Sequence, residues 1–394
     1  MKKLTGLLLV LIMVFSLAGC SKTEKATETT TTEATGADTT ATDATATTDT
    51  TATDAAVNET YPAEKVLIGV ELYDPTESET LEVQKYLSYL AENYNVEFKY
   101  SEAIQDADQE MKFIEDCAIA GAKGFYGFYN VSKEQQVSKV LELGMYYYGG
   151  GQDLYDAFKN EPNYLGSISA NGSDYENGKA LGQWVIDQGL TKVIYANGGA
   201  DFGVPIFVDR QKGFLDAVGD KVEVITVKGF PGDQFFADQA AALATPGIQA
   251  VVASFNGVDF WAQPIATAGL KDVKLATIGA INEAYLNAFN GNQLNFLVAG
   301  NIQAYGFMVS TILNAVDGNA EALKEDGTAL LYTVPAFQIG SADEIKKILD
   351  VQSTTKIFSA DDLKKVIVKF TPDATAQSVK DLADSGSKEK VMAK

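Results

Sequence analysis

Histidine is absent from all 394 residues, which removes the Ser-His-Asp and Cys-His nucleophile systems and the commonest zinc and iron ligand. Carboxylate-only chemistry, as in glycoside hydrolysis, survives that exclusion, but no local acid pair stands at a recognisable position. What remains is a set of polar and aromatic residues suited to holding a ligand: Arg210, Asn256, Asp74, Tyr73, Asp153, Asn130, Phe230, Trp261, Asn282 and Asn301. A neutral polyhydroxyl ligand needs carboxylates, amides and one or two guanidinium groups to saturate its hydroxyls, and a ring to lie against its apolar face. These residues offer that mixture. Their excess of acids over bases argues against a phosphorylated ligand, although one arginine is able to hold a carboxylate. No catalytic residue, metal or cofactor is expected.

Most of these residues stand at or just past the ends of predicted strands. Continuous apolar runs such as Val66–Val70, Lys192–Tyr195, Ala250–Phe255 and Phe296–Ala299 alternate with stretches of helical period, the signature of a parallel sheet covered on both faces. Val96–Tyr100, Gly124–Tyr129 and Tyr146–Tyr148 complete a first four-strand alternation, and the pattern restarts after Gly166 with a helix from Tyr175 to Ile186. A helix over Gln211–Val218 and strands at Val222–Val227 and Leu275–Ile278 belong to the second alternation. Two open α/β units in tandem place ligand groups on loops at the carboxyl ends of strands, facing a cleft. Cys117 lies on an apolar helical face with Met111 and Ile114, which predicts a buried role.

The formal net charge is −22, from 53 acidic and 31 basic residues, and no basic patch is present to neutralise phosphates. Nucleic acid is therefore not an expected partner. Residues 21–60 are almost entirely Thr, Ala, Asp and Glu, too poor in apolar surface to offset the entropy of ordering, and predict a disordered linker spanning roughly 35 Å. Ahead of it, Lys2, Lys3 and the apolar run Leu7–Phe15 have the layout of a signal segment too short to span a membrane. Leu17-Ala18-Gly19-Cys20 resembles the bacterial lipobox, which implies cleavage, diacylglyceryl modification of Cys20, and a protein tethered to the extracytoplasmic face of the cell membrane.

From about Lys65 to Phe337 the chain resembles the type I periplasmic-binding-protein family, in its ribose- and galactose-binding branch, which serves ABC importers. Asp209-Arg210-Gln211-Lys212-Gly213-Phe214 is similar to the family's Arg-x-x-Gly-Phe, in which the arginine reaches ligand oxygens. The strand Ile248–Phe255 ending in Asn256, with Ile265–Gly269 after it, resembles a strand ending in a ligand-binding asparagine. Asn171–Gly178 resembles the crossover into the second lobe. Where the family often carries Asn-Pro-Phe-Phe after the first strand, this chain has Asp74-Pro75-Thr76-Glu77, so stacking rings must come from Tyr73, Tyr129, Phe230 or Trp261.

The resemblance implies an α/β fold of two Rossmann-like lobes with parallel sheets, joined by a three-crossover hinge near 167–171, 298–303 and 335–340. The expected boundaries are a signal over 1–20, the linker over 21–60, a first lobe of 61–168 plus 301–337, and a second lobe with tail of 169–300 plus 338–394. The expected function is capture of a small ligand, a sugar first, and its delivery to an ABC transporter permease without chemistry. A sensory receptor or a nucleoside-binding lipoprotein of the same fold, and more remotely a surface glycosidase, stand as alternatives.

Overall fold

In a computed structural model, residues 60–149, 152–169 and 172–394 are described, apart from the side chains of residues 152 and 153. The signal segment, Cys20 and nearly all of the linker lie outside that set. The first alternation runs β1 (Val66–Glu71), α1 (Ser78–Asn93), β2 (Val96–Tyr100), α2 (Ala107–Ile119), β3 (Gly124–Gly127), α3 (Glu134–Glu142), β4 (Tyr146–Gly149) and α4 (Gln152–Phe158). Its four strands form a parallel sheet ordered β2-β1-β3-β4. β1 is central and almost wholly buried, as an apolar run flanked on both sides must be. Val83, Tyr86, Leu87 and Leu90 turn one face of α1 onto this sheet. Cys117 is fully buried on α2, and a Cβ on Gly69 of β1 would meet its sulfur at 2.7 Å.

β5 (Gly166–Ser169) then leads into α5 (Asp174–Asp187), β6 (Lys192–Ala196), α6 (Pro205–Val218), β7 (Glu223–Val227), α7 (Asp233–Leu243) and β8 (Ala250–Ala253). α8 (Gln263–Thr267), β9 (Lys274–Ile278), α9 (Glu283–Asn290) and β10 (Phe296–Ala299) follow. After β10 the chain returns through α10 (Gly306–Val316), which packs against β4 and β5, and through β11 (Leu330–Thr333), which pairs in parallel with β5. It then crosses again to β12 (Phe337–Ile339) on the second sheet, ordered β12-β10-β9-β8-β6-β7. β5 and β11 form a two-stranded sheet of their own, and three chain segments connect this first part of the fold with the six-stranded sheet: β5 to α5, β10 to α10, and β11 to β12. β12 runs antiparallel to β10, unlike the all-parallel expectation; it closes an edge with a short return strand rather than a βα unit.

Four helices end the chain: α11 (Ala342–Ser353), α12 (Ala360–Lys364), α13 (Ala376–Asp384) and α14 (Lys388–Ala393). α11 packs on α9, and Lys388 pairs with Glu344 at 2.6 Å. The stretch around α12 instead lies against α1 and α10. Tyr86 of α1 and Tyr94 just past its end donate to the carbonyls of Phe358 and Ala360 at 2.7 and 2.6 Å. Asn314 of α10 donates to Val366 O and accepts from Val368 N, both at 2.8 Å. The physical reason is burial: α10 is apolar around nearly its whole circumference, so a second layer must cover the side turned away from the sheet.

Candidate functional site

Arg210 sits on α6, whose first turn is set by Pro205, a residue suited to that position because its missing N–H has no helical partner there. Its Nε donates to Asp174 Oδ1 at 2.8 Å and its Nη1 to Ser254 O at 2.9 Å, while the guanidinium lies 5.4 Å from the Phe207 ring centroid. The side chain is only 11% exposed. Charge, geometry and packing therefore fix the orientation of the fork. Three glycines let α6 lie directly on α5: a Cβ on Gly178 would lie 2.6 Å from the Arg210 carbonyl carbon, one on Gly213 2.9 Å from Lys179 N, and one on Gly182 2.7 Å from Phe214 O.

Asn256 follows β8 with φ +35, a conformation asparagine tolerates better than most side chains, and Gly257 comes next. Its Nδ2 donates to Glu77 Oε1 at 2.8 Å, joining the loop after β8 to the loop after β1. Glu77 stands at the N-cap of α1 but makes no capping bond with its side chain, so the carboxylate is turned outward to the other lobe. Asp259, one turn beyond, donates its N–H to Asn256 O at 3.1 Å, and burial raises its carboxyl above the ordinary range. At the end of β6, Asn197 is 1% exposed and donates to Asp201 Oδ2 and Gln211 Oε1 at 2.6 and 2.8 Å. Its Oδ1 has no hydrogen-bond partner within the described residues.

Aromatic rings border both sides. Phe230 is 46% exposed and meets Phe207 and Phe255 edge-on at centroid distances of 5.4 and 5.8 Å. On the first lobe Tyr73, 54% exposed, meets Tyr129 edge-on at 5.1 Å. Asp74 beside it accepts from the Thr76 N–H and hydroxyl at 2.8 and 2.7 Å, and those two bonds hold its carboxyl below the usual range.

Of the residues singled out from sequence, Arg210, Asn256 and Phe230 lie in one region of the second lobe, and Tyr73 and Asp74 on the loop that reaches it through Glu77. Four others are engaged elsewhere. Trp261 is 1% exposed and packs edge-on against Phe235, as core. Asn301 is fully buried and donates to Gly386 O at 3.4 Å, so the C-terminal helices occupy it. Asn282 caps α9 by accepting from Tyr285 N at 3.1 Å. Asn130 spends its amide on Lys133 O and Gln136 Oε1 at 3.0 and 2.9 Å, closing its own turn. Asp153 falls in α4 with its side chain outside the described residues. Glu77, Asn197, Asp174 and Phe207 were not among the chosen residues. Glu77 carried a signal as part of the departing Asp74–Glu77 loop, and Asn197 as a strand-end Asn-Gly pair.

Among the described residues no group of acids and cysteine could hold a metal ion, and no helix is long and apolar enough to cross a membrane. No family model and no curated relative matches the chain. Solved structures do. A galactofuranose-binding protein aligns with a TM-score of 0.57 at 16% identity, over 73% of this chain and 98% of its own. The fold is that of a type I periplasmic binding protein. The arabinose ABC transporter binding component from Shewanella sp. ANA-3, bound to α- and β-L-arabinofuranose, aligns with a TM-score of 0.57 at 15% identity, over 74% and 96% of the two chains. An ABC transporter solute-binding protein from Actinobacillus succinogenes 130z with bound D-allose gives a TM-score of 0.58 at 12% identity, over 72% and 99%. All three are proteins that bind a solute.

Proposed function

We propose that this chain is a solute-binding protein, anchored to the extracytoplasmic face of the cell membrane through Cys20, that captures a sugar between its lobes and delivers it to an ABC importer. The observation that carries the reading is the juxtaposition of a pre-oriented guanidinium, Arg210, with amides from Asn197 and Asn256 and a carboxylate, Glu77, reaching in from the other lobe. That is the donor and acceptor mixture a polyhydroxyl ligand requires. Phe230 and Tyr73 supply rings for its apolar faces, and Asp74 a further acceptor. Binding in this scheme is noncovalent: hydroxyls exchange water for these groups, and lobe closure excludes solvent. The site performs no bond-breaking step. The working units are a first lobe of 61–168 with 301–337 and a second of 169–300 with α11, the segment after it overlapping both.

A thermal-shift screen against mono- and oligosaccharides and nucleosides tests the proposal, with galactofuranose, L-arabinofuranose and D-allose first because the structural neighbours bind them. Ligand at a hundred times its dissociation constant stabilises by about 2.7 kcal/mol. A sugar that raises the melting temperature is the expected result. Stabilisation by nucleosides alone, or by no solute in the panel, overturns the sugar assignment.

A further inference from the structure

Beneath the Tyr73–Tyr129 ring pair lies a cluster of polar groups that ligand capture does not use. Glu71 ends β1, Glu110 sits on α2 and Gln136 on α3, and all three side chains are fully buried. Glu110 accepts from the Val131 N–H at 2.8 Å through Oε1 and from the Ser132 N–H at 2.9 Å through Oε2, which also takes the Ser132 hydroxyl. Gln136 Nε2 donates to Glu71 Oε2 at 2.9 Å, Glu110 Oε1 at 3.0 Å and Tyr129 O at 2.8 Å. Its Oε1 accepts from the Tyr147 hydroxyl at 2.7 Å and from Asn130 Nδ2 at 2.9 Å. Every residue from Tyr129 to Ser132 is thus bonded to Glu110 or Gln136. Space is equally committed: a Cβ on Gly127 would sit 2.5 Å from Gln136 Oε1.

Two carboxylates in one dry site without a cation cannot both stay ionised. The titratable groups facing Glu71 are Glu110 and Cys117 from α2, Tyr147 from β4 and Tyr129 from the loop after β3, none of them a base. Lys99, on the neighbouring β2, gives its ammonium to Asp116 O at 3.1 Å instead. Glu71 Oε1 meets no donor, while Gln136 Nε2 bridges Glu71 Oε2 and Glu110 Oε1 at 2.9 and 3.0 Å and so holds the two carboxyls side by side. A proton on Glu71 Oε1 leaves Oε2 as the acceptor for Gln136. Burial, with the Glu110 charge beside it, pushes the Glu71 carboxyl up to about 9.

We propose that Glu71 and Glu110 share one proton, and that this pair positions the Tyr129–Ser132 loop at the cleft. Glu71 is a positioning residue: it touches no ligand and acts through Gln136 and Glu110. The proposal rests on the reading that Tyr73 and Tyr129 border a ligand cleft, so its test is run without ligand. The folded chain holds a proton that the unfolded chain has released, so stability falls as pH rises from the ordinary carboxyl range towards about 9, at up to tenfold in the folding constant per pH unit. Above that, both states are ionised and Glu110 faces a second charge.

Denaturant midpoints and peptide-level hydrogen exchange are measured on the full chain between pH 6 and 10, for wild type and Glu71→Gln, whose amide keeps one donor and one acceptor. In the wild type the midpoint falls with pH, and the peptide over 128–133 loses at least tenfold in protection at pH 10 relative to a β6 peptide at the same pH. In Glu71→Gln both changes are suppressed. The same pH dependence in the variant, or loop protection in the wild type that does not vary with pH, overturns the proposal. Infrared spectra of the wild type with carboxyl-labelled glutamate decide the matter if the variant does not fold: a protonated-carboxyl band at pH 7 that is lost by pH 10 supports the shared proton, and its absence at pH 7 refutes it.

Discussion

Replacing Gly178 with alanine tests how the α5–α6 contact sets the position of Arg210. In an exposed helix interior the exchange stabilises by roughly 0.5–1 kcal/mol, because alanine loses less backbone freedom on folding. Here the new methyl would stand 2.6 Å from the Arg210 carbonyl carbon and 2.8 Å from its Cα. α6 must retreat by at least about 1 Å, since the Arg210 carbonyl oxygen is nearer still and ordinary carbon contacts begin near 3.5 Å. Forcing a methyl into a filled contact costs about 1–3 kcal/mol, and backbone atoms as the neighbours put the cost in the upper part of that range, about 2–3 kcal/mol, so the net change is destabilising, by roughly 1–2.5 kcal/mol, or a few degrees in melting temperature. The same retreat stretches the 2.8 Å bond to Asp174, which lies on α5, beyond hydrogen-bonding range. Scanning calorimetry gives the sign directly. A melting temperature equal to or above that of wild type would mean that helix propensity wins and the two helices have slack between them, which refutes the argument that glycine is required there.

Arg210→Ala and Asn256→Ala should each weaken binding of a cognate sugar by about 1.5–3 kcal/mol, one to two decades by calorimetry; unchanged affinity in both folded variants removes them from the site. Glu77→Ala breaks the Asn256 bond between lobes, so small-angle scattering, compared between variant and wild type without ligand, should show a larger radius of gyration; identical curves would mean that the contact does not hold the lobes. Burial pushes the Cys117 thiol up to about 12, so a thiol reagent at pH 8 should modify the native protein far more slowly than the denatured one, and rapid native labelling would contradict its burial. Cys20→Ala should move the protein from the detergent phase to the aqueous phase on temperature-induced partitioning; retention in detergent refutes the anchor.

Much of the scaffold was legible because its cause is local. β1, β8 and β10 are runs of mostly apolar residues between turn signals, and a strand buried on both faces has to look that way. The start of α6 was not. Its expected onset at Gln211 lies well after Pro205, since Gly203-Val204-Pro205 carries turn residues that a helix also admits in its first turn. The antiparallel return of β12 joins residues about forty positions apart and the pairing of β5 with β11 residues four times as far apart, and no periodicity encodes that choice.

For the site, sequence by itself determined the chemical types available: no imidazole, an arginine in a helix after β6, an asparagine at the end of β8, and rings near strand ends. Tertiary structure decided which of them remain free. Trp261 and Asn301 have the right chemistry, but packing against Phe235 and the bond to Gly386 remove them from any cleft. Glu77 is paired with a residue 179 positions away, and Glu71 resembles any charged strand end until α2 and α3 close over it. Local period and side-chain type are properties of neighbouring residues along the chain. Desolvation, charge pairing and the meeting of loops depend on distances through space, which exist only once the chain has folded.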